Sequence, residues 1–285
     1  MPVSVTHVFS AIQTPEGDGM LVNRAFPSQA LGRLDPFLVF DEMGPIDFAP
    51  GSRAGFPDHP HRGFETVTYV LDGAVEHQDS NGNKGRIGPG DVQWMTAGSG
   101  VVHSEMPAAD LRKAGGRMHG FQLWVNLPRA DKMMAPRYQE IKSGQIPEEP
   151  VPGGKVRILA GRFGRKGAAI ATRTPIQYLH AVLEPGAAIS LPVPEGHQGF
   201  AYATKGSGKV AGTRVPTGSY ATLAGAGGLD VEAGTEGIEL LLITGVPLGE
   251  PVFQYGPFVM TTRDEILQAI EDYYSGRFGA IPATT

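Results

Sequence analysis

Short apolar runs, broken at close intervals by glycine and proline, recur from one end of this chain to the other. That punctuation confines it to folds built of many short strands. The runs ETVTYVL, VQWMT, FQLWVNL, KVRILAG, QYLHAVL and IELLLIT alternate or are rich in β-branched residues, and DG, NGN, GPGD, EPG and GSG stand among them. With 40 Gly and 24 Pro in 285 residues, turns are frequent enough to delimit elements of strand length. The expected fold is all-β, a sandwich or barrel. One helix is expected, at the C-terminus. There TTRDEILQAIEDYYSGRFG places Thr262 and Glu265 at capping-box spacing, ahead of an apolar stripe of Ile266, Ile270 and Tyr273.

The length is sufficient for two domains with buried cores. The polar, Pro/Gly-rich stretch EIKSGQIPEEPVPGGK lies near the middle and reads as a linker, dividing the chain into 1–139 and 140–285. The halves echo one another. PHRGFETVTYVLDG is matched by GHQGFAYATKGSG, with His61 over His197, Gly63 over Gly199 and Phe64 over Phe200, and IGPGDVQWM is matched by VPTGSYATL. One β-module duplicated within the chain accounts for both echoes.

A formal net charge of -5 and a pI near 5.9 argue against a protein that grips phosphate backbones, so no direct nucleic-acid ligand is expected. Nothing in the sequence resembles a membrane span or a leader peptide, and a cytoplasmic protein with no membrane attachment is expected. The absence of cysteine excludes disulfides, thiolate nucleophiles and sulfur-ligated metals, so any metal must be held by nitrogen and oxygen.

Such a site is prefigured in FPDHPHRGFETVTYVLDG. His59 and His61 are two apart on a stretch of strand character, so both imidazoles point to one face. About forty residues on, GPGDVQWMTAGSGVVHSEMP places His103 and Glu105 at the same spacing. The resulting H-x-H and H-x-E pairs offer three imidazoles and one carboxylate, expected to face each other across a barrel, and such a donor set suits Fe, Mn, Ni, Cu or Zn. A single strand histidine is ordinarily a hydrogen-bonded structural residue, and His7, His77, His119 and His180 are read that way. Two same-parity pairs in a chain with 8 His are harder to reach by chance. Glu65, three residues beyond Arg62, could ligate, support the ligands, or pair with Arg62 or another surface cation, and the supporting role is preferred.

The segments GFPDHPHRGFETVTYVLDG, GPGDVQWMTAGSGVVHSEMP and QLWVNLP resemble the pirin family, bicupin members of the cupin superfamily, and the layout extends over the whole chain. The resemblance implies two tandem cupin barrels, each a double-stranded β-helix. The first would bind one divalent transition metal, most often Fe(II), with Ni, Mn, Cu, Co or Zn as alternatives. Carried over residue by residue, its ligands are His59, His61, His103 and Glu105. In the second half Glu195 stands over His59, Ala201 over Glu65, and no histidine follows His197, so that barrel is expected to lack a complete metal site.

Some pirins resemble quercetinases in action, which implies an oxidoreductase of the quercetin 2,3-dioxygenase type that opens a flavonol with O2 and releases CO. Glu105 would then act catalytically, accepting the flavonol hydroxyl proton, and Phe56, Trp94 and Met95 would wall the pocket. The alternative implied by the resemblance is an iron-dependent, redox-sensing regulatory protein that binds a transcription factor or a metabolic enzyme. The basic stretch GRFGRK at residues 161–166 is the surface such a partner would use.

Overall fold

Alternation along the strand Phe64–Asp72 explains much of the first part of the fold. Thr66, Thr68 and Val70 share one face, and Glu65, Val67 and Tyr69 share the other. Every residue from Phe64 to Val70 is buried, which is why this run carries few charges on either face. Val92–Thr96 pairs on one side, with Gln93 opposite Thr68 and Met95 opposite Thr66. Gly116–Asn126 pairs on the other, with Gln122 opposite Thr68 and Trp124 opposite Thr66.

The computed structural model describes residues 1–282 and is all-β apart from two short α-helices and brief 3-10 turns. It comprises two compact units. The first is made of Gln13–Arg24, Phe37–Ser143 and the chain from Gly249 onward. Its seven-stranded sheet runs in the order Arg137–Ile141, Val92–Thr96, Phe64–Asp72, Gly116–Asn126, Phe37–Phe48, Met20–Phe26 and Ile12–Glu16. A four-stranded sheet runs in the order Phe56–His61, Val101–Pro107, Val75–Asp79 and Lys84–Ile87. The two sheets close on one another around Met20, Phe48, Val70, Val75, Ile87 and Met118.

The second unit consists of Met1–Ile12, Ala25–Pro36 and Gly144–Leu248. Its nine-stranded sheet is organised by the 19-residue strand Gly227–Gly245, which pairs with Ile176–Leu183, Ala188–Val193 and Gln198–Val210. The interior is filled by aliphatic side chains, among them Val156, Ile158, Leu179, Leu191, Leu229, Leu240 and Leu242.

The units are therefore not two consecutive halves. The N-terminal strand Ser4–Ser10 pairs with Ser219–Ala224 in the second unit, and the C-terminal helix folds with the first. The stretch expected to be a linker is also built into sheets. Arg137–Ile141 pairs with Val92–Thr96, and Glu148–Val151 pairs with Gly154–Ala160. Both are edge strands, where polar side chains and proline are tolerated.

The expected helix forms as Arg263–Tyr274 with its capping box intact: the Thr262 hydroxyl accepts from Glu265 N, and the Glu265 carboxylate accepts from Thr262 N. Ile266 and Ala269 pack with Val102, Phe258, Met260 and Phe278. Among the described residues, no helix is long and apolar enough to cross a membrane.

Candidate metal centre

The strand Phe56–His61 lies antiparallel to Val101–Pro107, with His59 opposite His103 and His61 opposite Val101. The two histidine motifs were expected to face each other across a barrel. They stand instead on neighbouring strands of one sheet, because this register puts His103 beside His59. Ligand atoms of His59, His61 and His103 all lie within 4.8 Å of one another. Ring centroids are 4.4 Å apart for His59 and His103, 4.7 Å for His59 and His61, and 4.9 Å for His61 and His103.

The proton on the His59 ring can be placed from its partners. His59 Nδ1 donates to the carbonyl of Pro57 at 2.7 Å, which leaves a lone pair on Nε2. That lone pair points at His61 Nε2, 3.1 Å away. His61 Nδ1 and both ring nitrogens of His103 are buried without a hydrogen-bond partner. Burial pushes His61 and His103 well below the usual histidine range, and the neighbouring imidazoles push the same way, so both are held neutral. Each orphaned nitrogen carries a desolvation penalty of about 1–3 kcal/mol. A cation held among the three imidazoles accounts for the convergence, and this donor set fits a first-row divalent metal.

Glu105 lies outside the group of mutually close ligand atoms. Its Oε1 accepts from Thr68 Oγ1 at 2.8 Å and its Oε2 from Gln122 Nε2 at 2.7 Å. Trp124 Nε1 donates to Gln122 Oε1 at 3.2 Å, and the indole sits 5.1 Å from the His61 ring and 4.4 Å from Phe64. Phe56 pairs with Glu105 across the strands and lines a small, mostly apolar chamber with it, together with Met20, Met43, Val75 and Met118.

The other pocket expectations divide by face. Met95 is buried with Val101 and Tyr138, beside the histidine strand. Trp94 is fully buried, but alternation turns it to the face away from Met95, where Glu65 also lies. Thr96 donates to Glu65 Oε1 at 2.6 Å on that same face. The structure thus groups the three histidines, sets Phe56, Met95 and Glu105 close by, and places Trp94 and Glu65 behind the sheet.

Several neighbours escaped the sequence reading. His77, read as merely structural, stands directly opposite Glu105. Its ring stacks on Tyr138 at 5.3 Å, and its Nε2 is 3.4 Å from Glu140. The Tyr138 hydroxyl is buried near the Asp79 carboxylate but outside hydrogen-bonding geometry, and burial, reinforced by Asp79 and Glu105, drives its pKa up. The Gln93 side-chain nitrogen, beside Thr68, is likewise buried without a partner. Only the even spacing of Gln122 and Trp124 in FQLWVNL signalled that these two share a face.

Comparison with known proteins places this geometry in a family. Residues 19–125 match the description Pirin, and residues 178–279 match the Pirin C-terminal cupin domain. A pirin-like protein from Solanum lycopersicum is 47% identical over 93% of this chain and 89% of its own length. A putative quercetin 2,3-dioxygenase from Pseudomonas aeruginosa is 45% identical over 92% of this chain and 93% of its own. The crystal structure of a quercetin 2,3-dioxygenase from Acinetobacter baumannii superimposes with a TM-score of 0.92 at 38% identity, covering 98% of this chain and 99% of that one. Two cupin domains in one chain, with relatives matched over nearly their whole length, make this protein a member of the pirin family.

Proposed function

We propose that the protein is an Fe(II)-dependent dioxygenase of the quercetin 2,3-dioxygenase type, which opens a flavonol with O2 and releases CO. The observation that carries this reading is the convergence of three imidazoles, two of them buried with unpartnered ring nitrogens, in a chain whose relatives include proteins named for that activity. His59, His61 and His103 would hold the ion, with Glu105 as fourth ligand. The ion would supply Lewis acidity and a template for substrate and O2.

The protein's own groups would do the rest. Glu105 would take the proton of the flavonol 3-hydroxyl, and Thr68 and Gln122 would hold its carboxylate in line for that transfer. Trp124, Phe64 and Met95 would offer apolar contact to the flat ring system. Tyr138 and Gln93 each carry a buried polar atom free to bond a substrate oxygen.

The test is anaerobic reconstitution with Fe(II) followed by oxygen uptake, CO release and loss of the quercetin absorbance band, with His103→Ala and Glu105→Ala alongside. Turnover by the parent that both folded variants lose supports the reading. Firm metal binding without flavonol consumption would rule it out and direct the search to partners that distinguish ferrous from ferric protein.

A further inference from the structure

His61 is followed by Arg62 and Gly63, and both are gripped by a remote part of the chain. Arg62 N donates to the Pro257 carbonyl at 3.2 Å, and Val259 N donates to the Arg62 carbonyl at 3.0 Å. The buried guanidinium donates from Nε to Ser99 O at 2.7 Å and from Nη1 to Asp272 Oδ2 at 2.8 Å, and it lies 4.5 Å from the centre of the Phe278 ring. The Gly63 carbonyl accepts from Lys132 Nζ at 2.8 Å. The same ammonium donates to Asn126 Oδ1 at 2.6 Å and to the Val259 carbonyl at 3.0 Å, so its three protons are all used. Gly63 sits at φ +88°, and a side chain there would run into the Val259 carbonyl oxygen.

The His103 strand is backed in the same way. Val102 packs against Phe258, Met260, Ile266, Ala269 and Phe278. Ser80 Oγ donates to the Phe278 carbonyl at 2.6 Å and accepts from Val102 N at 3.2 Å. A Cβ on Gly100 would lie 2.6 Å from the Phe278 ring, so that glycine admits the ring. Arg62 alternates with His61, and Val102 with His103, so segment 257–278 presses on the face opposite the imidazoles.

We infer that segment 257–278 is a working part of the metal centre, with Arg62, Lys132, Asp272 and Phe278 as positioning residues that fix how His61 and His103 converge. The inference rests on the three histidines being metal ligands and is independent of the substrate. Charge adds to geometry. Arg62 and Lys132 are two buried cations in sequence or direct contact with the turn after His61, and Asp272 offsets the first. Removing that carboxylate leaves an uncompensated positive charge behind a site that must receive another cation.

The experiment titrates the metal-free protein with Zn(II) and Co(II) against a chromophoric chelator, and records the Co(II) d–d spectrum and the urea midpoint of each apoprotein. Asp272→Asn and Arg62→Lys are each expected to weaken binding about 10–100-fold and to alter the Co(II) spectrum, and Lys132→Met, which removes a nearby positive charge together with three hydrogen bonds, is expected to alter the spectrum. Asp272→Glu is expected to restore much of both. Phe278→Leu alters no charge and decides the matter where a charge variant fails to fold; a several-fold weaker affinity is expected from it. Variants that lose apoprotein stability yet keep the parent's affinity and spectrum would overturn the inference, reducing the segment to structural support. A parent that binds no metal would instead overturn the ligand reading, and this inference with it.

Discussion

The Gln122 side-chain amide donates to one oxygen of Glu105 at 2.7 Å, while its own carbonyl accepts from the Trp124 indole. Glu105 is thus oriented from the seven-stranded sheet although its backbone belongs to the four-stranded one. A carboxylate held by such donors presents fixed lone pairs to an ion, whereas a free one must be ordered on binding.

Gln122→Leu should therefore leave the fold intact but lower metal affinity by about 10–100-fold, since groups that orient ligands have effects of that size. Competition titration of the variant, with its thermal midpoint recorded alongside, checks this. Unchanged affinity would mean that Glu105 needs no orientation from Gln122.

His103→Leu is expected to abolish metal binding and, at the same time, to stabilise the apoprotein. His103 is fully buried with both ring nitrogens unpartnered, and replacing such a group by an apolar one of similar volume removes a penalty of about 1–3 kcal/mol. An apoprotein urea midpoint above the parent's, with no metal retained on dialysis, is the expected pair of results.

Tyr138→Phe should leave metal content near the parent's and the fold at least as stable, because the hydroxyl it deletes is buried without a hydrogen bond. If a substrate oxygen takes that hydroxyl, kcat/KM for flavonol turnover falls about tenfold, a loss of roughly 1.4 kcal/mol of transition-state stabilisation. Steady-state kinetics on the fully loaded variant reads this directly.

In the second unit, Glu239 lies 3.7 Å from His180 Nε2 and 3.2 Å from Lys205 Nζ, and these neighbours hold its carboxyl at about 2, below the ordinary 4.5. A depressed acid contributes stability that is fully present above 4.5 and is lost as pH falls through about 2. Glu239→Gln should accordingly flatten the acid limb of the stability curve over that window. The side chain is a quarter exposed, so solvent screening limits the difference to about 1 kcal/mol. Urea midpoints at pH 5 and pH 3, parent against variant, test it.

Much of this was legible in the chain. The strand texture, the helix with its Thr262 cap and the pairs His59/His61 and His103/Glu105 follow from periodicity, because side-chain direction repeats locally along one element. The resemblance to pirins rested on those same segments. Other relationships were beyond local reading. That Thr68 and Gln122 meet Glu105, or that His77 stands opposite it, depends on strand register and on which sheets face each other. Trp94 and Met95 are adjacent in sequence, and only the packing decides which of the two lies beside the histidines.

The sequence by itself determined the chemistry available: three imidazoles at ligating spacing, no thiolate, and an all-β chain with one capped helix. Tertiary structure alone decided that His59 and His103 are strand neighbours, and that the unit holding them is completed by the C-terminal segment. The physical reason is the range of the interactions. Alternation and capping act over a few residues, whereas the Arg62–Asp272 pair and the Lys132–Val259 bond join positions more than a hundred residues apart, and only folding brings them within reach.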